Sequence, residues 1–108
     1  VPCTLRSRSK EKWRTSFQSR VSSIGPKWLT PYTNDELKHG PNNGIKNIVV
    51  ACPSFICDCL ETLFEIDIEG RQVFNESGGQ SFSFVPCLNE NSDFIDCMEN
   101  IISEMLMT

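Results

Sequence analysis

Residues 45–52 read IKNIVVAC, and this run decides the fold class. Its β-branched and other apolar side chains follow one another with little alternation, which predicts a strand covered on both faces, as in a parallel sheet. Residues 55–69 follow and predict an amphipathic helix that closes at Gly70. The apolar positions assigned to its buried face are Ile56, Leu60, Leu63, Phe64 and Ile68.

The stretch upstream of this strand predicts one more strand and one short helix. Residues 13–18 (WRTSFQ) have strand composition. Thr33 and Glu36 have the spacing of a capping box, which predicts a helix over residues 34–39. Proline and glycine after that helix then lead the chain into the central strand.

Downstream, the alternation of strands and helices continues. Residues 82–85 predict a third strand, and Asn91 or Ser92 can cap a last helix. The apolar stripe of that helix is Phe94, Ile95, Met98, Ile101, Ile102 and Met105. The element order predicts an α/β fold with a doubly wound parallel sheet in three layers, of which this chain holds about three strands.

Length and composition allow one small domain. The chain has 108 residues, 39% hydrophobic and 22% charged, and a net charge of −4. We expect a poorly ordered leading segment over residues 1–12 and a single α/β domain over residues 13–108. The first twenty residues are basic, which fits a solvated arm or contact with phosphate or a membrane surface. No interleaving of aromatic and basic residues points to nucleic acid.

The chain has no apolar run long enough to cross a bilayer, and residues 1–8 lack the apolar stretch of a secretion signal. We therefore expect a protein of the cytoplasm. Its six cysteines are then expected to be reduced thiols. Their spacing lacks paired Cys-x2-Cys units, so a structural zinc site is not predicted.

Four acidic residues in the predicted second helix are the strongest indication of chemistry. Asp58, Glu61, Glu65 and Glu69 fall within about 80° of one another at 100° per residue. Because like charges one turn apart disfavour a helix, the row indicates a bound cation or else a solvated acidic face. His39, the single histidine, ends a short helix, where it fits a favourable interaction with the helix dipole better than catalysis.

Six short motifs narrow the interpretation. In their order and spacing they resemble the ferrochelatase family from about residue 13 to the end of the chain. The motifs are TSFQSR at 15–20, WLTPYT at 28–33, CPSF at 52–55, DCLETL at 58–63, EIDIE at 65–69 and PCLN at 86–89.

The resemblance implies a chelatase fold of two similar doubly wound halves that enclose a porphyrin, with this chain as roughly the last third. It implies a lyase of haem biosynthesis that inserts ferrous iron into protoporphyrin IX to form protohaem. Iron is then the substrate metal, and no iron-sulfur cluster is expected in this chain. The missing amino-terminal half becomes a partner, and peripheral membrane contact is left open.

The resemblance also implies roles for individual residues. Glu61 corresponds to the glutamate that handles protons and delivers metal, and Glu65 and Glu69 continue an acidic path along a helix that contains a π-type turn. Cys59 stands where many members have histidine. The residues expected to border the porphyrin are Gln18, Ser19, Arg20, Trp28 and Cys59.

Two alternatives stay open at this point. The family mechanism also uses a histidine from an earlier segment, and nothing in this chain corresponds to it. A single wall of a cleft cannot strain a flat macrocycle for metallation. The chain could therefore be a non-catalytic fragment that binds a porphyrin or a divalent metal, or part of a related chelatase for cobalt or another tetrapyrrole.

Overall fold

The computed structural model describes residues 13–19 and 27–108. The expected poor order of residues 1–12 and the predicted site residue Arg20 lie outside these ranges. The elements in chain order are α1 (Thr33–His39), a 3-10 turn (Pro41–Asn43), β1 (Asn47–Ala51), a π-helix (Leu60–Gly70), α2 (Arg71–Glu76), β2 (Ser81–Val85) and α3 (Ser92–Leu106).

The sheet of the described residues consists of β1 and β2, which pair in parallel. Their register runs from Asn47 opposite Ser81 to Ala51 opposite Val85. A helical crossover joins them, as parallel pairing requires. The central and third predicted strands are therefore confirmed, and the α/β class with them. The sheet has two strands in the described ranges where three were predicted.

The predicted strand over residues 13–18 is wrong. Phe17 makes a single parallel bridge to Tyr32, in which its amide donates to the Pro31 carbonyl at 2.9 Å and its carbonyl accepts from the Thr33 amide at 3.1 Å. Strand composition is not sufficient for a strand, because a strand also needs a neighbour along its whole length. Here one bridge holds the segment beside the start of α1.

The helix after β1 differs from its prediction at both ends. It begins at Leu60 and continues without a break through Gly70 into α2, which ends at Glu76. Gly70 has helical backbone angles, and a Cβ there would lie 3.0 Å from the Leu37 Cδ1 atom. This glycine permits close packing of α1 against the helix and does not stop it. The chain turns later, at Gly78, whose φ is +103°.

The predicted buried face of this helix is also wrong. All five apolar side chains assigned to it are exposed, with fractions from 46% to 77%. The residues that are buried instead are Thr62, Ile66, Gly70 and Phe74, one at every fourth position. In a π-helix each residue bonds to the one five positions away, so a turn contains more residues than in an α-helix. Positions calculated at 100° per residue therefore do not match the face that is buried.

A small core joins the helix to the sheet. Its members are Leu37, Cys52, Ile66, Phe74 and Phe82. The rings of Phe74 and Phe82 lie 6.0 Å apart in a tilted arrangement, and the Arg71 guanidinium lies 4.8 Å from the centre of the Phe82 ring. Arg71 also donates to the Phe82 carbonyl at 2.6 Å. These contacts fix the helix to β2.

The two remaining helix starts give opposite results. Asn91 caps α3 as predicted, because its Oδ1 accepts from the Phe94 amide at 3.2 Å. The predicted capping box of α1 is wrong, since the helix begins at Thr33 and its cap makes no side-chain bond. The Thr33 hydroxyl instead lies 2.8 Å from the Ser16 hydroxyl.

The predicted apolar stripe of α3 covers none of this core. No residue of α3 is buried, and Ile102 and Met105 are 54% and 72% exposed. In the described part of the chain, no helix is both long enough and apolar enough to span a membrane.

Candidate active site at the start of the π-helix

The π-helix begins beside the carboxyl ends of β1 and β2. Cys59 is the residue before its first turn, and its extended backbone lets the chain enter the helix from the loop after β1. The Cys59 amide donates to the Thr62 hydroxyl at 2.9 Å, and the Leu63 amide donates to the Cys59 carbonyl at 2.8 Å. The capping box that sequence reasoning assigned to Thr33 is formed here instead.

Glu61 projects from this first turn and is exposed. Hydrogen bonds from the Cys59 side chain and from the backbone N–H of Glu61 itself lower the pKa of the Glu61 carboxyl below its ordinary value. The group is therefore an anion near neutral pH. In that form it can accept a proton or bind a cation.

The predicted porphyrin-binding segment lies against the same helix. The Gln18 amide nitrogen donates to the Glu61 carbonyl at 2.7 Å, and the Ser19 backbone amide donates to the Glu65 carboxylate at 2.6 Å. Trp28 Nε1 donates to the Gln18 carbonyl at 3.0 Å. The structure thus brings together five predicted site residues from three separate stretches of sequence, and Ser19 adopts a left-handed φ of 65° to do so.

The acidic row is shorter than the sequence suggested. Asp58 precedes the helix and does not belong to the row. Glu65 and Glu69 line a pocket of about 250 Å³ that also contacts Gln18 and Ser19. Among residues 13–19 and 27–108, no three His, Cys, Asp or Glu side chains come close enough to hold a metal ion together. The three glutamates therefore lie in sequence along a helix and do not form a closed metal site.

Asp58 instead joins the loop after β1 to the loop after β2. Its carboxylate accepts from the Asn89 side chain at 2.9 Å, from the Thr62 hydroxyl at 3.0 Å and from the Cys87 amide at 3.3 Å. These bonds, with that from Asn89 the largest cause, hold the pKa of Asp58 below its usual value. Sequence reasoning singled out residues 86–89 as a motif of the family resemblance and did not identify this partner.

Two cysteines in these loops are poor nucleophiles. Burial raises the pKa of Cys52 to about 11, and the neighbouring Cys87 and Asp58 add to the rise. Burial also raises the pKa of Cys87, where a hydrogen bond to Asp58 adds to it. Because the thiolate is the reactive form, these thiols are inert near neutral pH. The five cysteines in the described ranges are all free.

The raised pKa of Cys52 predicts a loss of stability in alkali. An unfolded chain ionises this thiol near pH 9.0, whereas the folded chain keeps the proton until about pH 11. The free energy of unfolding should therefore fall by on the order of 2 kcal/mol as pH rises through that window. Cys52→Ala should reduce the fall, and exposed Cys57→Ala should keep it. Urea unfolding at pH 8.5 and pH 10.5 measures the fall in the free energy of unfolding. An equal fall in the Cys52→Ala and Cys57→Ala variants would contradict the prediction.

Comparison with known proteins agrees with the motifs. The family model described as ferrochelatase matches residues 3–106. The chain is 46% identical over 96 residues to the ferrochelatase of Opitutus terrae, covering 89% of this chain and 27% of the relative. It is 45% identical over 97 residues to that of Marinobacter nauticus, covering 90% and 26%. Against the ferrochelatase of Shewanella denitrificans it is 48% identical over 92 residues, covering 85% and 27%.

This chain therefore spans about a quarter of the length of the curated relatives it matches. Within that quarter, the match includes every segment that the structure brings to the start of the π-helix, from Gln18 to Asn89. The family model extends over most of the chain, and so the chain belongs to the ferrochelatase family.

Proposed function

We propose that this chain supplies one wall of a ferrochelatase, which inserts ferrous iron into protoporphyrin IX to form protohaem. The observation that carries the proposal is the ionised Glu61 on the first turn of a π-helix, with Gln18 bonded to its backbone. π-turns are rare and are frequently found at functional sites.

In this proposal Glu61 is the group that meets the reacting centre. Metallation releases the two pyrrole protons of the macrocycle as the metal dication enters, so charge balance requires a nearby base. The Glu61 carboxylate accepts a proton and can also bind the incoming ferrous ion, because carboxylate oxygen suits a divalent ion that must be passed on. Glu65 and Glu69 extend this anionic surface toward solvent.

The segment around residue 18 binds the porphyrin in the same proposal. Gln18, Ser19 and Trp28 are tied to the π-helix or to one another by hydrogen bonds, so the ring and the base are held in one frame. Cys59 borders the ring beside Glu61 and lowers the pKa of its carboxyl. Arg20 belongs to the proposed set through its place in the matched motif.

The rest of the family protein completes the site. An open depression of about 1650 Å³ is lined both by residues 13–19 and by β1, including its exposed Val49. It supports the proposal that further strands of a doubly wound three-layer sheet complete the fold there. The opposite wall of the porphyrin cleft would come from the same missing part. We further propose a cytoplasmic site of action, in keeping with free thiols, and peripheral membrane contact through that other wall.

The proposed metal path predicts a specific kinetic change. Glu65→Gln and Glu69→Gln should each raise the KM for the metal about fivefold and leave kcat nearly unchanged, since each removes one charge that attracts the cation. The assay is zinc or anaerobic ferrous insertion followed by porphyrin absorption. It is made on a hybrid enzyme in which this chain replaces the matching segment of the Opitutus terrae ferrochelatase.

Glu76→Gln is the matched control for that prediction. Glu76 ends α2, is exposed and accepts a hydrogen bond from the Gln72 side chain at 2.9 Å. It should leave the KM for metal unchanged. An unchanged KM in both path variants would count against an acidic path.

The competing function is a fragment that binds porphyrin or divalent metal without turnover. It predicts that the hybrid enzyme binds porphyrin with a shifted absorption band and forms no metalloporphyrin. A change of metal preference from iron to cobalt in the hybrid would instead favour the related chelatase.

A further inference from the structure

The loop after β2 is bonded to the first turn of the π-helix through three polar side chains. These are Asn89, Asp58 and Thr62, which we call the relay. Asn89 lies 31 residues from Asp58 in sequence, yet the two exchange a pair of hydrogen bonds. The Asp58 amide donates to Asn89 Oδ1 at 2.8 Å, and the Asn89 side-chain nitrogen donates to the Asp58 carboxylate at 2.9 Å.

Asn89 is itself rigidly held. Its amide donates to the Ile56 carbonyl at 2.9 Å, and its side-chain nitrogen also reaches the Cys87 carbonyl at 3.1 Å. Its φ is +49°, a left-handed conformation that asparagine tolerates better than most residues. The loop after β2 therefore presents Asn89 to Asp58 in one fixed orientation.

Thr62 continues the relay into the helix. Its side chain is fully buried, and its hydroxyl donates to Asp58 Oδ1 at 3.0 Å while accepting from the Cys59 amide at 2.9 Å. Thr62 follows Glu61 directly in the chain. A shift of Thr62 must therefore move Glu61 as well.

A direct catalytic role is less well supported for these residues than a positioning role. Asp58 is not free to act as a base in this arrangement, because the Asn89 side chain, the Cys87 amide and the Thr62 hydroxyl all donate to its carboxylate. Within the described residues, no buried polar side-chain atom lacks a partner, so the relay is complete as it stands. Its bonds stay within the protein and lead to the turn that carries Glu61.

We propose that Asn89, Asp58 and Thr62 are positioning residues that hold the first turn of the π-helix, and with it Glu61, in register with the loop after β2. The inference rests on the proposed function only for the role of Glu61. A misplacement of a reacting group by about 1 Å can cost on the order of 100-fold in rate, which gives such a relay a catalytic effect.

Thr62 offers a matched pair of variants. Thr62→Val keeps the shape and removes the hydroxyl, whereas Thr62→Ser keeps the hydroxyl and removes a methyl group. If Thr62 only fills space, the serine variant should be the more damaging of the two. If it belongs to the relay, the valine variant should be.

Amide hydrogen exchange in the 108-residue chain is the first readout. Thr62→Val should accelerate exchange at Leu63 and also at Cys87, whose backbone amide donates to the Asp58 carboxylate, by about 10-fold or more. Thr62→Ser should restore protection at both amides. Unchanged exchange at Cys87 in the valine variant, or equal acceleration in both variants, would overturn the relay.

A second pair of variants replaces an aspartate by asparagine at two different positions, so each removes one negative charge. Asp58→Asn replaces one of the two acceptor oxygens by an NH2 donor, so the bond from Asn89 or the bond from Thr62 is lost, and the same two amides should exchange faster. Asp67→Asn, on the π-helix but paired with Arg71, should leave them unchanged. Equal effects of the two substitutions would assign the change to general destabilisation and overturn the proposal.

Turnover of the hybrid enzyme is the second readout. Thr62→Val and Asp58→Asn should lower kcat about 10-fold or more with the KM for porphyrin unchanged, and Thr62→Ser should recover most of kcat. A fall in protein stability with no fall in kcat would overturn a positioning role. If the unaltered hybrid inserts no metal, the proposed function fails, and hydrogen exchange still decides whether the relay holds the turn.

Discussion

Glu61→Gln should lower the rate of metal insertion by the hybrid enzyme about 1000-fold, while the affinity for porphyrin stays within about threefold. Glutamine keeps the size of the side chain and removes its negative charge, so it can neither accept a pyrrole proton nor neutralise the incoming dication. A positioned acid or base contributes about 100-fold to 10,000-fold in rate, which sets the expected size of the loss. Porphyrin absorption under anaerobic conditions measures the rate, and fluorescence quenching measures the affinity.

Glu76→Gln serves again as the control, because it makes the same chemical change on α2, away from the first turn of the π-helix. Equal losses in the two variants would indicate a general effect of charge. A Glu61→Gln enzyme with full activity would remove the residue from the mechanism.

Phe74→Ala should reduce the free energy of unfolding of the 108-residue chain by about 3 to 5 kcal/mol. Phe74 is 1% exposed and packs against Phe82 in the small core. Its ring also fills the space beside Gly79, where an added Cβ would lie 2.2 Å from a ring carbon. The free energy of unfolding of a domain is about 5 to 15 kcal/mol, so much of its stability depends on this one side chain.

Phe64→Ala is the matched control, because it removes the same ring from the adjoining π-helix where 48% of the residue is exposed. It should cost less than about 1 kcal/mol. Urea unfolding followed by circular dichroism measures both. Equal losses would mean that the exposed face is packed in solution, contrary to the arrangement described here.

Local patterns were sufficient for the parallel strands and for one helix start. The apolar residues within 45–52 predicted β1, and the strand forms over Asn47–Ala51. The predicted cover on both faces is wrong for the described residues, because exposed and half-buried positions alternate along β1 and Val49 is 71% exposed. Asn91 predicted the start of α3, because its cap is made with the amide of Phe94, three residues away. Both inferences depend only on residues that are close in sequence, and so both could be made from the sequence alone.

The same kind of reasoning failed at the π-helix. A phase of 100° per residue assigned Leu63 and Ile68 to the interior, and both are exposed. The interior is occupied instead by Thr62 and Ile66. Amino-acid composition does not predict a π-turn. The family resemblance implied one, and the structure confirms it. Gly70 was taken for a stop because its packing partner, Leu37, is distant in sequence.

At the candidate site, too, local motifs were predictable from the sequence, whereas contacts between distant segments were not. The motifs predicted a set of site residues, and the structure brings Gln18 to the Glu61 carbonyl and Ser19 to the Glu65 carboxylate, across 43 and 46 residues of sequence. The relay could not be inferred, because the bond from Asn89 to Asp58 depends on how two loops meet. Asp58 was therefore counted with the glutamates, although its carboxylate is engaged elsewhere.

In the proposed function, the acidic helix and the segment around residue 18 form one side of the porphyrin site. Metallation of a flat macrocycle requires distortion of the ring, and a ring gripped from one face only can move away from the base. The exposed apolar side chains of the π-helix and of α3 agree with a chain that packs against further protein. They are consistent with the quarter-length match to its relatives.

The most direct test compares metal insertion by the isolated 108-residue chain and by the hybrid enzyme, under anaerobic conditions with Fe2+ and again with Zn2+. We predict that the isolated chain binds porphyrin weakly and forms no metalloporphyrin, whereas the hybrid forms it at a rate that depends on Glu61. Turnover by the isolated chain at the rate of the hybrid would contradict the one-wall arrangement. A hybrid that folds and binds porphyrin but inserts neither metal would contradict the proposed function itself.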